Sequence, residues 1–247
     1  MTIIQAEHVT VSYLMGNFRN IGLKEYVIRQ IRKEYSVKEF LAIHDVTFSL
    51  VKGDMLGIIG SNGSGKSTLL KNIAGIMPPT NGYLEVNGQV AALLELGSGF
   101  DMEMTVRENT YLRGALLGYP KSFIDGMYDE IIAFAELQDF QDFNFMQLST
   151  GMKSRLAFAI ACLVKPDILI LDEVLAVGDG AFLEKSKKKM MEVLNSGVTA
   201  LMVSHSIAEI RQLCNKVLWL EKGKQIDFGT DVKRICDQYI AHLKSKN

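Results

Sequence analysis

The chain has 247 residues, 48% apolar and 22% charged, a mix that supports one packed unit of generous size and excludes a disordered polymer. Its net charge of −1 lacks the basic excess that phosphate-backbone binding leaves on a domain, so nucleic acid is not an expected ligand. The three cysteines, Cys162, Cys214 and Cys236, have no close spacing, which excludes a CxxC metal or redox motif and a disulfide framework and leaves reduced, partly buried thiols as the expectation.

The best apolar run, Leu156 to Val164, falls well short of the roughly 18 residues that a spanning helix needs. Met1 to His8 carries no basic region followed by an apolar stretch, so no leader is expected. From the N-terminus, Ile3 to Tyr13 and Ala42 to Leu50 read as strands, the second with apolar residues alternating through Val46, Phe48 and Leu50. Between them lies an insertion, Asn17 to Glu39. Ile21, Ile28 and Tyr35 fall seven apart there, beside Val27 and Ile31, which is the spacing of one helical face; Arg29, Arg32 and Lys33 make up its basic side.

Met55 to Ile59 reads as a short buried strand, followed by a glycine-rich turn and a helix from Lys66 to Ala74 that Gly75 and Pro78 stop. Strand signals return at Tyr83 to Val86 and Val90 to Leu94. Thr105 to Glu136 is mostly helical with a break at Gly118-Tyr119-Pro120, and about 101–165 reads as an inserted helical subdomain. A helix from Gly151 to Leu163 leads through Pro166 into Ile168 to Leu171, four apolar residues suited to a strand covered on both faces, so the core is parallel α/β. Strand Thr199 to Val203, a helix over Ile207 to Cys214, a hairpin at Glu221 to Lys224 and a helix from about Asp231 to Leu243 complete the pattern.

The strongest chemical signal is Gly60-Ser61-Asn62-Gly63-Ser64-Gly65-Lys66-Ser67-Thr68, a G-x-x-x-x-G-K-S pattern set between a strand and a helix. Glycines let such a loop curl so that its N–H groups converge on phosphate oxygens, and the helix N-terminus adds partial positive charge. Lys66 is then placed to reach the β- and γ-phosphates of ATP, and Ser67 to ligate Mg²⁺. About a hundred residues on, the apolar strand ends in Asp172-Glu173, at the strand end where parallel α/β sheets bind ligands. Asp172 is expected to organise Mg²⁺ through its water shell and Glu173 to act as general base toward the attacking water. These two elements leave kinases, GTPases and helicases open.

The third motif, Leu148-Ser149-Thr150-Gly151-Met152-Lys153, resembles the signature sequence of ABC ATPases, matching at Ser149 and Gly151 and departing at Thr150 and Met152. The resemblance implies an ABC ATPase fold: a RecA-like phosphate-loop core with a parallel sheet, an antiparallel β subdomain and the inserted helical subdomain. It also implies a homodimer in which Ser149, Gly151 and Met152 cap the γ-phosphate of ATP held by the other copy. Ser149 is equally placed to be the N-cap of its own helix, and both roles can hold together. By the same likeness His205 matches the switch histidine that contacts the γ-phosphate, and Asp179 the dimer-contact loop. An aromatic that stacks on adenine is expected at Tyr13, with Phe40 as the alternative and core packing as the ordinary role of either.

The superfamily's glutamine between the phosphate loop and the helical subdomain is absent; Glu95 is the nearest polar substitute for metal contact. The run Leu94 to Phe100, Thr105-Val106-Arg107-Glu108-Asn109 and Asp172 to Asp179 resembles the ATPase subunits of bacterial polysaccharide exporters, almost along the whole chain. That resemblance implies a peripheral protein at the cytoplasmic face of the inner membrane, bound to two copies of an integral permease. The cargo it implies is a lipid-linked polysaccharide, O-antigen first and capsule or teichoic acid next. The insertion also resembles that group, so Arg29, Arg32 and Lys33 become possible contacts to cargo. Some relatives continue into a carbohydrate-binding β-sandwich, for which a chain ending at Asn247 leaves no room. Two rival readings stay open: the same enzyme with a drug, lipid or nutrient as cargo, and a soluble ABC protein that does not transport.

Overall fold

The computed structural model describes residues 1–15, 38–93, 99–172, 178–204 and 206–245. Strand β1 (Thr2–Met15) pairs antiparallel with β2 (Lys38–Val51) along most of its length, and β4 (Asn81–Val86) joins the other edge of β1. The backbones of Leu14 and Met15 pair with Glu39 and Lys38, so the insertion drawn at 17–39 ends two residues early and its last two residues are strand. The remainder of that insertion, Arg29, Arg32 and Lys33 included, lies outside the described residues.

The parallel core comprises β3 (Met55–Ile59), β5 (Val90–Ala92), β6 (Ile168–Asp172), β7 (Thr199–Val203) and β8 (Lys216–Glu221), and β9 (Lys224–Gly229) folds back on β8 as a hairpin. The sheet order is β4-β1-β2-β9-β8-β3-β7-β6-β5, with a single residue pair, His44 and Lys224, joining the antiparallel part to the rest. β3 therefore lies between β8 and β7, inside the sheet. Of the Val90 to Leu94 expected, β5 stops before Leu93, whose N–H still donates to the Ile170 carbonyl at 2.8 Å, and Leu94 lies outside the described residues.

Strand period explains the two-sided core. On β6, Leu169 and Leu171 join one buried cluster with Phe158, Cys162, Phe182, Trp219 and Tyr239. Ile168 and Ile170 join the other, with Leu69, Leu70, Ile73, Leu218 and the inner residues of β1 and β2. Both faces of a central parallel strand are covered, which is why its sequence is an apolar run and not an alternation. Each such side chain, fully buried, contributes about 1.5–3 kcal/mol.

Helix α1 (Lys66–Ile73) follows β3; α2 (Val106–Leu116), α3 (Lys121–Ala135) and α4 (Thr150–Leu163) pack around a third cluster that includes Val106, Ile131, Phe145 and Leu156. Thr105 and Glu108 form a reciprocal capping box that starts α2. Helix α5 (Gly180–Asn195) is absent from the sequence reading; its buried positions Phe182, Ser186 and Met190 follow an i, i+4 spacing that the run Lys187-Lys188-Lys189 obscures. Helix α7 (Val232–Ser245) packs against β8 and β9, and α6 (Ile207–Leu213) packs against α7. All three cysteines are buried, and burial pushes the Cys162 and Cys214 thiols up to about 12. Among the described residues no helix is long and apolar enough to cross a membrane.

Candidate functional site

The site starts from the end of β3. At Gly60 the chain passes so close to the Leu220 carbonyl that a Cβ would clash with it, and at Gly65, with φ of 103°, a Cβ would lie 2.6 Å from the Ala42 carbonyl oxygen. Only glycine fits both positions. The loop between them delivers the chain to α1, whose N-cap, Gly65, offers no side-chain cap. First-turn N–H groups have no partner inside a helix, so this end is open to an anion. The Lys66 ammonium donates to the carbonyls of Gly60 at 2.8 Å and Ser61 at 3.0 Å, which holds the charge across its own loop.

Above this loop lies a cavity of about 570 Å³ lined by Asn62, Gly63, Gly65, Lys66, Ser67 and Thr68 together with Tyr13, Phe40, Ala42, Asp172 and Val203. Asp172 reaches it from the C-terminal end of β6, where it is paired in register with Val203 of β7. Tyr13 and Phe40, alternatives in the sequence, are cross-strand partners on β1 and β2 and line the same cavity. Their exposures of 39% and 52% take both out of the core, and the Tyr13 hydroxyl is anchored at 3.4 Å from the Met77 sulfur.

Ser149 stands elsewhere. It is the N-cap of α4, its Oγ accepting from the Met152 N–H at 3.2 Å, and Ser149, Thr150 and Gly151 are exposed and outside the cavity. One turn along the same helix, Arg155 donates to Glu136 at 2.7 Å and to Asp179 at 3.0 Å, with its guanidinium 4.7 Å from the Phe182 ring. Asp179 is the N-cap residue of α5, with 92% of its side chain exposed and no side-chain cap bond. Arg155, which the sequence reading missed, thus ties the helix of Ser149 to the end of α3 and the start of α5. Ser204, which donates to Glu209 at 2.6 Å, precedes one more residue expected at the site. That residue, His205, lies outside the described residues, as do Glu173 and Glu95.

A phosphate cradle, an aromatic pair and a carboxylate at the strand ends are the geometry of a nucleoside triphosphate site, and the ABC transporter family matches residues 43–176, more than half of the chain. The chain belongs to that family. This ABC ATPase is 39% identical to the O-antigen export system ATP-binding protein RfbB of Klebsiella pneumoniae, across 96% of this chain and 97% of that protein. It is 44% identical to RfbB of Myxococcus xanthus over 79% of this chain and 45% of the relative. With the teichoic acids export ATP-binding protein TagH of Bacillus anthracis it shares 39% identity over 99% of its own length and 43% of the relative's. An ATP-binding subunit of an ABC transporter superposes with a TM-score of 0.71 at 22% identity, covering 96% of this chain and 93% of that one. A dimeric cassette in a post-hydrolysis state bound to ADP and Pi gives 0.67 at 21% identity, covering 92% and 98%. These two likenesses carry the fold, and the family membership makes the chain an ATP-hydrolysing subunit.

Proposed function

We propose that two copies of this ATPase close on ATP and power export of a lipid-linked polysaccharide, O-antigen first and capsule or teichoic acid next, through a separately encoded membrane permease present in two copies. The observation that carries the cargo class is the near full-length match to an O-antigen export ATP-binding protein. The chain then works at the cytoplasmic face of the inner membrane. An exporter needs a spanning partner, since no described helix crosses a membrane.

Within one copy, the loop N–H groups and Lys66 bind the β- and γ-phosphates, and Tyr13 with Phe40 receives the adenine on an aromatic surface. The donor set suits Mg²⁺: Ser67 and Asp172 bring hard oxygens to the cavity, and no cluster of three metal-binding side chains stands among the described residues. Such an ion would be held jointly with phosphate oxygens and, when bound, neutralises charge on them. Glu173, next to Asp172 in the chain, accepts a proton from the attacking water, and His205 steadies that pair. The exposed N-terminus of α4, with Ser149, Gly151 and Met152, meets the γ-phosphate held by the other copy, and Asp179 lies at the contact between copies. Binding across two copies drives the rigid-body movement that the permease uses.

Arg29, Arg32 and Lys33, which the catalytic groups do not need, are proposed to meet the phosphates of the lipid carrier. Replacing all three by alanine is expected to leave basal hydrolysis nearly intact and to reduce surface polysaccharide sharply; normal export from that variant would remove the contact. Deleting the chain is expected to abolish surface polysaccharide while its synthesis continues inside the cell. An unaltered surface would rule out polysaccharide as the cargo.

A further inference from the structure

The phosphate loop is braced by the β8–β9 hairpin at three successive points. Gly60 packs on the Leu220 carbonyl, the Ser61 hydroxyl donates to Glu221 Oε2 at 3.3 Å, and the Gly223 N–H donates to the Ser64 carbonyl at 3.0 Å. The hairpin is itself pinned to β2, where the His44 N–H donates to the Gly223 carbonyl at 2.7 Å.

Glu221 is the unexpected member. Its side chain is only 11% exposed, and a carboxylate beside a loop that binds phosphate opposes the ligand by simple Coulomb repulsion. Its value must then lie in what it holds. Ser61 is also the residue whose carbonyl receives the Lys66 ammonium at 3.0 Å, so Glu221 fixes from one side the residue that positions Lys66 from the other. Behind Glu221 stands the last helix. His242 Nε2 lies 3.9 Å from Glu221 Oε1, and the His242 ring meets Trp219 edge-on at 5.3 Å. Tyr239, one turn earlier on α7, meets the same indole at 5.6 Å.

We propose that Glu221 is a positioning residue for nucleotide binding, and that α7, through His242, is part of the support of the phosphate loop. This rests on the reading of that loop as the ATP site. Glu221 lies 160 residues from Ser61 at the end of β8, and His242 lies 181 residues away on α7, a helix that the motifs do not touch. The route from α7 to the ammonium of Lys66 runs His242, Glu221, Ser61, Lys66.

The test is titration of the full chain with a fluorescent ATP analogue, beside thermal unfolding, for the wild type, Ser61→Ala, Glu221→Gln, the double variant and His242→Phe. Each of the first two is expected to weaken binding about three- to tenfold, the scale of one ordinary hydrogen bond, because the contact reaches the ligand only through Lys66. The double variant should lose no more than Ser61→Ala alone, because Glu221→Gln removes the charge from the same contact that Ser61→Ala deletes. His242→Phe, which keeps a ring against Trp219, should give a smaller loss that disappears when Glu221 is already Gln. Restoring the carboxylate as Glu221→Asp should recover part of the affinity. Unchanged affinity in both single variants, additive losses, or a fall in melting temperature with affinity intact would each overturn the proposal. Failure of the wild type to bind the analogue would instead remove the reading on which it rests.

Discussion

Two helix N-termini carry the proposed chemistry, and the chain supports them in different ways. α1 begins inside a cavity, with its loop fixed by Leu220, Glu221 and Gly223 of the hairpin and by the Ala42 carbonyl of β2. α4 begins at the surface, where the Met152 N–H donates to the Ser149 side chain, and its position is set further along by Arg155. The first is a finished half of a site. The second is a capped helix end, exposed and outside that cavity, as the proposed site completed by a second copy requires.

The largest expected effect breaks the chemistry and leaves both helix ends in place. Glu173→Gln should cut turnover by roughly 10²- to 10⁴-fold, the range for losing a general base, while ATP-dependent dimerisation persists. Steady-state hydrolysis beside sizing with and without ATP checks it, and wild-type turnover would take the base role from Glu173.

Ser149→Asp addresses α4 alone. Asp caps a helix as well as Ser does, so folding stability should hold, whereas a negative charge aimed at the partner's γ-phosphate should lower hydrolysis by about 10²-fold. Nucleotide affinity of the single copy should not move. If Ser149 is a cap and nothing more, hydrolysis will survive this substitution.

Lys66→Ala addresses α1 alone. It deletes a charge-assisted contact to phosphate of about 1.5–3 kcal/mol, so affinity for ATP should fall about 10- to 100-fold. Equal affinity in a fluorescent-analogue titration would contradict the placement of Lys66. Together the two substitutions sharpen the contrast, since one should change binding by the isolated chain and the other only the event between chains.

The two ends also differ in how far their surroundings could be read from sequence. The phosphate loop was legible because its parts are neighbours in the chain: Gly60 to Thr68 are nine consecutive residues, six of which line one cavity. Its supports were not, because Ser61 and Glu221 are 160 residues apart and only sheet order, with β8 beside β3, brings them together. Ser149 as an N-cap was legible from local pattern, whereas Arg155 was not, its partners Glu136 and Asp179 lying 19 and 24 residues away on other helices. The choice between Tyr13 and Phe40 had no answer in sequence, since the register that sets them side by side spans the insertion. Helix α5 went unread because lysines on its exposed positions mask a buried stripe from Phe182 to Leu194.

The central claim, that each ATP site joins the phosphate loop of one copy to the Ser149 end of another, is tested most directly by mixing. Lys66→Ala and Ser149→Asp chains should each hydrolyse ATP poorly when alone. Mixed in equal amounts, half of the dimers pair one of each, and every mixed dimer has one site with both Lys66 and Ser149 intact. Hydrolysis should therefore return to roughly a quarter of the wild-type rate if the two sites act independently. A mixture no more active than the mean of its two components would contradict the shared site.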